Sequence, residues 1–307
     1  LAFMHPVKNR QAIARAYHFF GCRTFVLDTA DELQKILDET LFAKDLTLVV
    51  RLAVTSEDAV ISLSGKFGVG MAEAPGLLRQ TRAVAARLGI SFHGGSQCMM
   101  PGSWNGTMLA TSMVIKDAGV PVDIIDVGGG FPSIYPGMTP RGLDAYINII
   151  KRNHDGLPEM KNTELWCEPG RALVAESESL ITRIEQVRPG ALYINDGGFG
   201  ALFDAVRESW RFPVRAIKAH GQISGEMQDW FVHGPTCDPV DALAHPIALP
   251  ANLVEGDYIE FGNLGAYGST MASRFNGFGR YDWIETHDAP WDSLYPASVD
   301  ALGTGTA

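Results

Sequence analysis

Six short apolar or β-branched runs, closed by Gly, Pro or Asp, punctuate the first 172 residues: "LAFMHP" (1–6), "TFVLD" (24–28), "LTLVVRLAV" (46–54), "ISFHGGS" (90–96), "VDIIDVGGG" (122–130) and "ELWCEPGR" (164–171). Runs this short with such flanks read as strands. Between them lie segments of helical period, "TADELQKILDETL" (29–41), "EAPGLLRQTRAVAARLG" (73–89), "WNGTMLATSMVIKDAG" (104–119) and "TPRGLDAYINIIKRN" (139–153), the first opening on the capping pattern Thr29-x-x-Glu32. Strand alternating with helix implies a parallel sheet, because each helix is the crossover that brings the next strand back in the same direction. Glycines and polar residues gather at the C-terminal ends of the strands, the face on which a (β/α)8 barrel carries its ligand. A closed barrel has eight strands and about 250 residues, so six units leave two possibilities: an open doubly wound sheet, or a TIM barrel with about two N-terminal βα units upstream of Leu1.

After residue 172 the texture changes to shorter alternating runs, "SLITRIEQVR" (179–188), "ALYINDGGF" (191–199), "RFPVRAI" (211–217) and "DYIEFGNLGAY" (257–267), separated by turn residues. The expected organisation is an α/β barrel domain over 1–172 and a mostly antiparallel β domain over 173–307. No internal repeat interrupts either part, and only the tail "LGTGTA" is of low complexity.

Composition excludes several function classes. With 46% hydrophobic residues the chain can fill two cores, and a net charge of -10 disfavours a non-specific grip on nucleic acid or an anionic membrane surface. Cys22, Cys98, Cys167 and Cys237 are widely spaced, without a C-x-x-C pair or a His at zinc-ligand spacing, and read as reduced thiols of a cytoplasmic protein with no metal site. No apolar run reaches the ~20 residues of a membrane span. A small molecule is the expected partner.

"DVGGGFP" (126–132) sets Gly128, Gly129 and Gly130 directly after a strand, where backbone N–H groups can approach an anion such as phosphate. "EPGR" (168–171) offers a second such loop, with Gly170 as an N–H donor and Arg171 as a forked cation. Glu168, deeper in the mouth, needs a cation or a proton donor; a protonated pyridine nitrogen meets that need, and so does a barrel arginine such as Arg51. In "SFHGGSQ" (91–97), His93 could cover the face of a flat ring while Ser96 donates to its phosphate. "HGPTCDP" (233–239) is a stiff turn that exposes the Cys237 thiol beside the Asp238 carboxylate, and "GNLGAYGSTMASRFNGFG" (262–279) carries Tyr267 and Phe275.

These motifs, with "NDG" at 195–197, in this order along nearly the whole chain, resemble the ornithine/lysine decarboxylase branch of the fold-type III (alanine racemase-like) PLP-dependent decarboxylases; "GPTCD" with "EPGR" is specific to it. The resemblance implies pyridoxal 5'-phosphate as cofactor and a head-to-tail homodimer with shared active sites. It also assigns residues. Ser96, the glycines Gly128 to Gly130, Gly170, Arg171 and Tyr267 hold the phosphate, Pro169 shapes the loop, Glu168 pairs with the pyridine nitrogen and His93 stacks on the ring. Cys237, reaching in from the partner subunit, donates the proton to the α-carbon after carbon dioxide leaves; Asp238 binds the distal ammonium of the substrate and Phe275 lines the same pocket. The implied reaction is decarboxylation of a basic amino acid, L-ornithine to putrescine in polyamine biosynthesis, with L-lysine as the nearest alternative substrate and a non-catalytic, regulatory relative as the alternative of another class. A racemase on the same barrel would place Arg where Glu168 stands.

Two departures from the family pattern stand out. The family's second substrate-binding carboxylate follows an aromatic residue after "NDG"; Phe203-Asp204 matches it only after a shorter spacer, and Asp204 is carried over on that basis. The family's cofactor-linking lysine, in an Ala-Val-Lys motif on the first barrel strand, has no match in this chain. "MHPVKN" (4–9) imitates it, but the stretch "AYHFFGCRTFVLDTADELQKIL" (16–37) aligns with the segment after the family's third strand, so Lys8 is expected to be a loop lysine near the mouth of the site. On that reading the linking lysine belongs to a segment upstream of Leu1, and the 307 residues alone should turn over weakly.

Overall fold

The computed structural model describes residues 1–54, 59–61 and 65–289; the "LGTGTA" tail lies outside them. Two compact units emerge, one of residues 1–132 with 140–170, the other of 133–139 with 171–307.

The first unit alternates strand and helix: β1 (Ala2–Phe3), α1 (Arg10–His18), β2 (Thr24–Leu27), α2 (Ala30–Glu39), β3 (Thr47–Arg51), β4 (Ala59–Ile61), α3 (Ala74–Arg82), β5 (Arg87–Ser91), β6 (Ser96–Cys98), α4 (Ser103–Ala118), β7 (Ile124–Asp126), α5 (Leu143–Gly156) and β8 (Glu164–Trp166). Six strands form one parallel sheet in the order β1-β2-β3-β5-β7-β8. The order follows the chain without reversal, as in a barrel wall; a doubly wound sheet would turn back at a switch point. Its middle strands are buried almost throughout, and Phe25, Leu48, Val49, Val50, Ile90, Ile124 and Ile125 form the core. The Thr29 hydroxyl accepts the Glu32 N–H and caps α2 as the sequence pattern requires.

Four elements of this unit differ from the sequence reading. Helix α1 is additional: Asn9 caps it by accepting the N–H groups of Gln11 and Ala12, but only Ile13 is buried, so its apolar periodicity is faint. Helix α3 stops at Arg82, because Arg87–Gly89 join β5. Gly89 sits where a side chain would strike Val49 and Ile124. The short strands β4 and β6 pair antiparallel, a small hairpin laid beside the main sheet.

Lys8 is not an open loop amine. Its side chain is fully buried, with Nζ 2.9 Å from Glu32 Oε1 and donating to the carbonyls of Val26 (2.5 Å), His5 (3.0 Å) and Pro6 (3.2 Å); Lys35 pairs with the other oxygen of Glu32. Burial pulls its pKa down, against the opposing pull of Glu32. Lys8→Met leaves the buried Val26 and Pro6 carbonyls and the part-buried His5 carbonyl without their donor and the buried Glu32 carboxylate with one of its two cations, and should cost about 3 kcal/mol in urea unfolding.

The second unit contains α6 (Arg171–Val174), β9 (Leu180–Arg188), β10 (Ala191–Ile194), α7 (Phe203–Arg207), β11 (Val214–Ile217), β12 (Met227–His233), β13 (Ile247–Pro250) and β14 (Tyr258–Phe261). Its sheet runs β11-β14-β9-β10-β12-β13, antiparallel except where β10 lies parallel to β12. Strands β12 and β13 are absent from the sequence reading; in "MQDWFVH" only Trp230 and Val232 point inward, too sparse a pattern to stand out.

Candidate active site

In the first unit the glycine loop follows β7, the His93 loop follows β5 and the Glu168 loop follows β8, all on neighbouring strand ends. Backbone hydrogen bonds lace them together. Phe92 N–H donates to Asp126 O (3.2 Å), Glu168 N–H to Gly128 O (2.8 Å) and Cys98 N–H to Gly130 O (2.9 Å). Gly128 has φ +67°, and a Cβ there would overlap the Phe92 carbonyl. At Gly129 a Cβ would stand 2.7 Å from Glu168 O and 3.0 Å from His93 Nε2, so only a glycine lets the imidazole and the Glu168 peptide close on this point. The structure therefore brings together His93, Gly128, Gly129, Gly130 and Glu168, with Ser96 on the hairpin tied to Gly130.

His93 Nδ1 accepts the Gly95 N–H (3.1 Å), which leaves the proton on Nε2. Desolvation, with the nearby charge of Arg51, holds the ring's pKa down to about 4, so the imidazole is neutral at physiological pH. Glu168 behaves in the opposite sense. It is exposed at the mouth, yet desolvation of its carboxyl, followed by the charge of Asp126 and a hydrogen bond with it, raises the pKa to about 7 against the pull of Arg51. Asp126, the last residue of β7, is a site residue that motif reading passes over: it is 1% exposed and accepts the Gly128 N–H on Oδ1 (2.9 Å). Its pKa is also raised, chiefly by burial. Asp28, at the end of β2, accepts the Gly68 N–H (2.8 Å) and with Asp126 and Glu168 surrounds the charge of Arg51. This acid-rich mouth can receive a cationic N–H.

In the second unit Arg171 is buried. Nη1 donates to Tyr135 Oη (3.1 Å), Nη2 lies 3.6 Å from Asp204 Oδ2, and the guanidinium carbon is 4.5 Å from the Trp210 ring and 4.9 Å from that of Tyr267. Tyr267, at φ +60°, is half exposed. Arg171 and Tyr267, expected together, are in contact; Tyr135 and Trp210 complete the cluster and carry no motif to announce them. Asp204 departs from expectation. It sits on α7 with its carboxylate buried against Arg171, so it serves as the counter-ion of a buried arginine instead of an open carboxylate for a substrate ammonium; burial raises its pKa despite that partner.

Cys237 and Asp238 line a cavity of about 510 Å³ within the second unit, with Tyr193, His233, Thr236 and Phe278. The turn is braced from below by Asp241, which accepts the N–H groups of Gly198 (2.7 Å) and Thr236 (3.0 Å) and the Thr236 hydroxyl (2.7 Å). The exposed Cys237 thiol is 3.5 Å from Asn276 Oδ1, and Asp238 Oδ1 accepts the Val240 N–H (3.0 Å). Phe278, not Phe275, lines this cavity; Phe275 packs on Phe199, ring centres 4.6 Å apart.

Among the described residues no group of three or more His, Cys, Asp or Glu could hold a metal ion, and no helix is long and apolar enough to cross a membrane. The family described as pyridoxal-dependent decarboxylase, pyridoxal binding domain, matches residues 1–175. The lysine/ornithine decarboxylase of Selenomonas ruminantium is 28% identical over 298 residues, spanning 94% of this chain and 73% of its own length. The ornithine decarboxylase of Panagrellus redivivus is 29% identical over 302 residues, spanning 91% of this chain and 68% of its own. Among solved structures, the lysine/ornithine decarboxylase of Vibrio vulnificus complexed with cadaverine superposes with a TM-score of 0.78 at 30% identity, over 94% of this chain and 76% of that one.

Proposed function

The chain belongs to the pyridoxal-dependent decarboxylases, and from that membership we propose that it serves decarboxylation of a basic amino acid, L-ornithine to putrescine, with L-lysine as a slower substrate. One observation carries the reading: a carboxyl with pKa about 7, exposed at the mouth, stands beside a neutral imidazole and a glycine loop on adjacent strand ends. That set fits the cofactor of the family. Asp28, Asp126 and Glu168 around Arg51 leave an excess of acid that an aromatic N–H cation matches.

Pyridoxal 5'-phosphate, when bound, supplies the electron-withdrawing ring that takes up the electron pair left by the departing carboxylate. The chain's own residues do the rest. Glu168 keeps a proton on the ring nitrogen, and His93, uncharged, covers the ring face without competing for that proton. Ser96 and the N–H groups of Gly128, Gly129, Gly130 and Gly170 bind the phosphate, Pro169 fixes the turn between Glu168 and Gly170, and Arg171 with Tyr267 is assigned to the phosphate as well. Cys237 delivers a proton to the α-carbon, and Asp238 receives the distal ammonium. Asp204 holds Arg171. Phe278 walls the Cys237 side of the pocket, and Phe275 supports it from behind through Phe199.

We assign Cys237 and Asp238 to the partner's site in a head-to-tail homodimer in the cytoplasm. The test uses the complete gene product with pyridoxal 5'-phosphate and radiolabelled L-ornithine or L-lysine. Carbon dioxide should be released from both, with ornithine preferred; the two differ by one methylene, which a pocket separates by about 10–200-fold. Binding of the cofactor with release from neither substrate would sink the reading in favour of a non-catalytic relative. Glu168→Gln and Cys237→Ala, each inactive alone, should regain about a quarter of wild-type activity when mixed, since random re-pairing leaves one native site in half the dimers; no recovery would exclude shared sites.

A further inference from the structure

Asp126 poses a problem that the cofactor roles above leave unsolved. Its Oδ1 takes the Gly128 N–H, while Oδ2 is buried with no hydrogen-bond partner among the fixed donors around it. A buried carboxylate oxygen without a donor is costly and rare. The strand beside β7 supplies a candidate: Trp166 is the register partner of Asp126, and two residues on, Glu168 is tied by its own N–H to Gly128 O (2.8 Å). Two ionised carboxylates only accept; one of them donates once it carries a proton.

We propose that Asp126 is a positioning residue, holding Glu168 through one shared proton in the cofactor-free protein and releasing that proton to the ring nitrogen when the ring arrives. The inference rests on the pyridoxal reading. In the transfer the O–H bond of Glu168 breaks, an N–H bond forms on the ring, and the pair is left with one more negative charge beside the new cation; no other reactant takes part.

The surroundings are consistent with a shared proton. Burial raises both carboxyls, Glu168 to about 7. Arg51, from the end of β3, opposes both, and Asp28 from the end of β2 faces Arg51 and takes up part of its charge. His93 from the loop after β5 is neutral and brings no positive charge, and the Cys167 thiol, next to Glu168, is pushed up by burial and by the two acids, so it stays uncharged. Among the described residues Arg51 is the one cation acting on the pair, and its pull leaves both carboxyls raised.

Infrared difference titration of the full chain tests this, following the C=O stretch of the protonated carboxyl that Glu168→Gln removes. In the wild type this band should titrate with a midpoint near pH 7 and vanish at pH 6 when pyridoxal phosphate is added. In Asp126→Asn, which keeps the acceptor for Gly128, the midpoint should fall by about one pH unit or more, towards an ordinary glutamate. An unchanged midpoint, or a band that survives Glu168→Gln, overturns the shared proton. If Asp126→Asn does not fold, the Glu168→Gln comparison decides alone. Cofactor binding is read separately from its visible absorbance. A wild type that binds the cofactor but keeps the band refutes the transfer and spares the pyridoxal reading, whereas one that does not bind it refutes both.

Discussion

Glu168→Gln should lower kcat for amino-acid decarboxylation by about 10²–10³-fold while leaving the protein folded and able to take up pyridoxal phosphate, the loss expected when one preorganised electrostatic partner is removed. The amide keeps the shape and can still hydrogen-bond, but it cannot hold a positive charge on the ring nitrogen. Steady-state carbon dioxide release with a parallel cofactor titration separates the two effects, and a proportional fall in cofactor affinity instead of kcat would reassign Glu168 to binding. The same residue sets a pH dependence of stability. The folded, cofactor-free protein keeps a proton up to about pH 7 that the unfolded chain gives up near 4.5. The folded state therefore binds more protons between those values, and this pair's contribution to stability is greatest below about pH 4.5 and is lost as pH rises to about 7.

Arg171→Ala should destabilise the protein by about 3–5 kcal/mol, because it leaves the Asp204 carboxylate buried without its cation and strips the faces of Trp210 and Tyr267 of their guanidinium. Urea unfolding measures it. The pair is long for a salt bridge at 3.6 Å, and both Arg171 Nε and Asp204 Oδ2 lack hydrogen-bond partners, so the cost should come mainly from the orphaned charge. Arg171→Met combined with Asp204→Leu is accordingly expected to recover most of the loss. If the single and double variants were equally unstable, the aromatic stacking would outweigh the charge. Loss of phosphate affinity in the double variant, with stability restored, would report on Arg171 as a ligand.

What the sequence discloses, and what it withholds, divides along a physical line. Apolar runs with turn residues at their ends are local signals, and all six parallel strands are legible that way; so are the glycines after β7, whose backbone geometry no other residue tolerates. Asp126 is invisible because its surroundings depend on a carboxyl 42 positions away, in the loop after the next strand. Asp204 misleads for the same reason. A spacing after "NDG" says nothing about which face of α7 turns towards Arg171. Lys8 shows the converse, a convincing motif whose amine is already committed to Glu32 and three carbonyls.

The backbone rungs that join Phe92 to Asp126, Gly128 to Glu168 and Gly130 to Cys98 have a consequence for how such a protein can change. Three loops stitched through their peptide groups cannot vary in length one at a time, because an insertion in one would break the rung it shares with its neighbour. On the roles proposed for Cys237 and Asp238, drift in substrate preference is thereby steered to side chains outside the stitching, such as Asp238 and Phe278 around the Cys237 cavity. Selection from a library that randomises those positions should shift specificity more readily than one that lengthens the glycine loop.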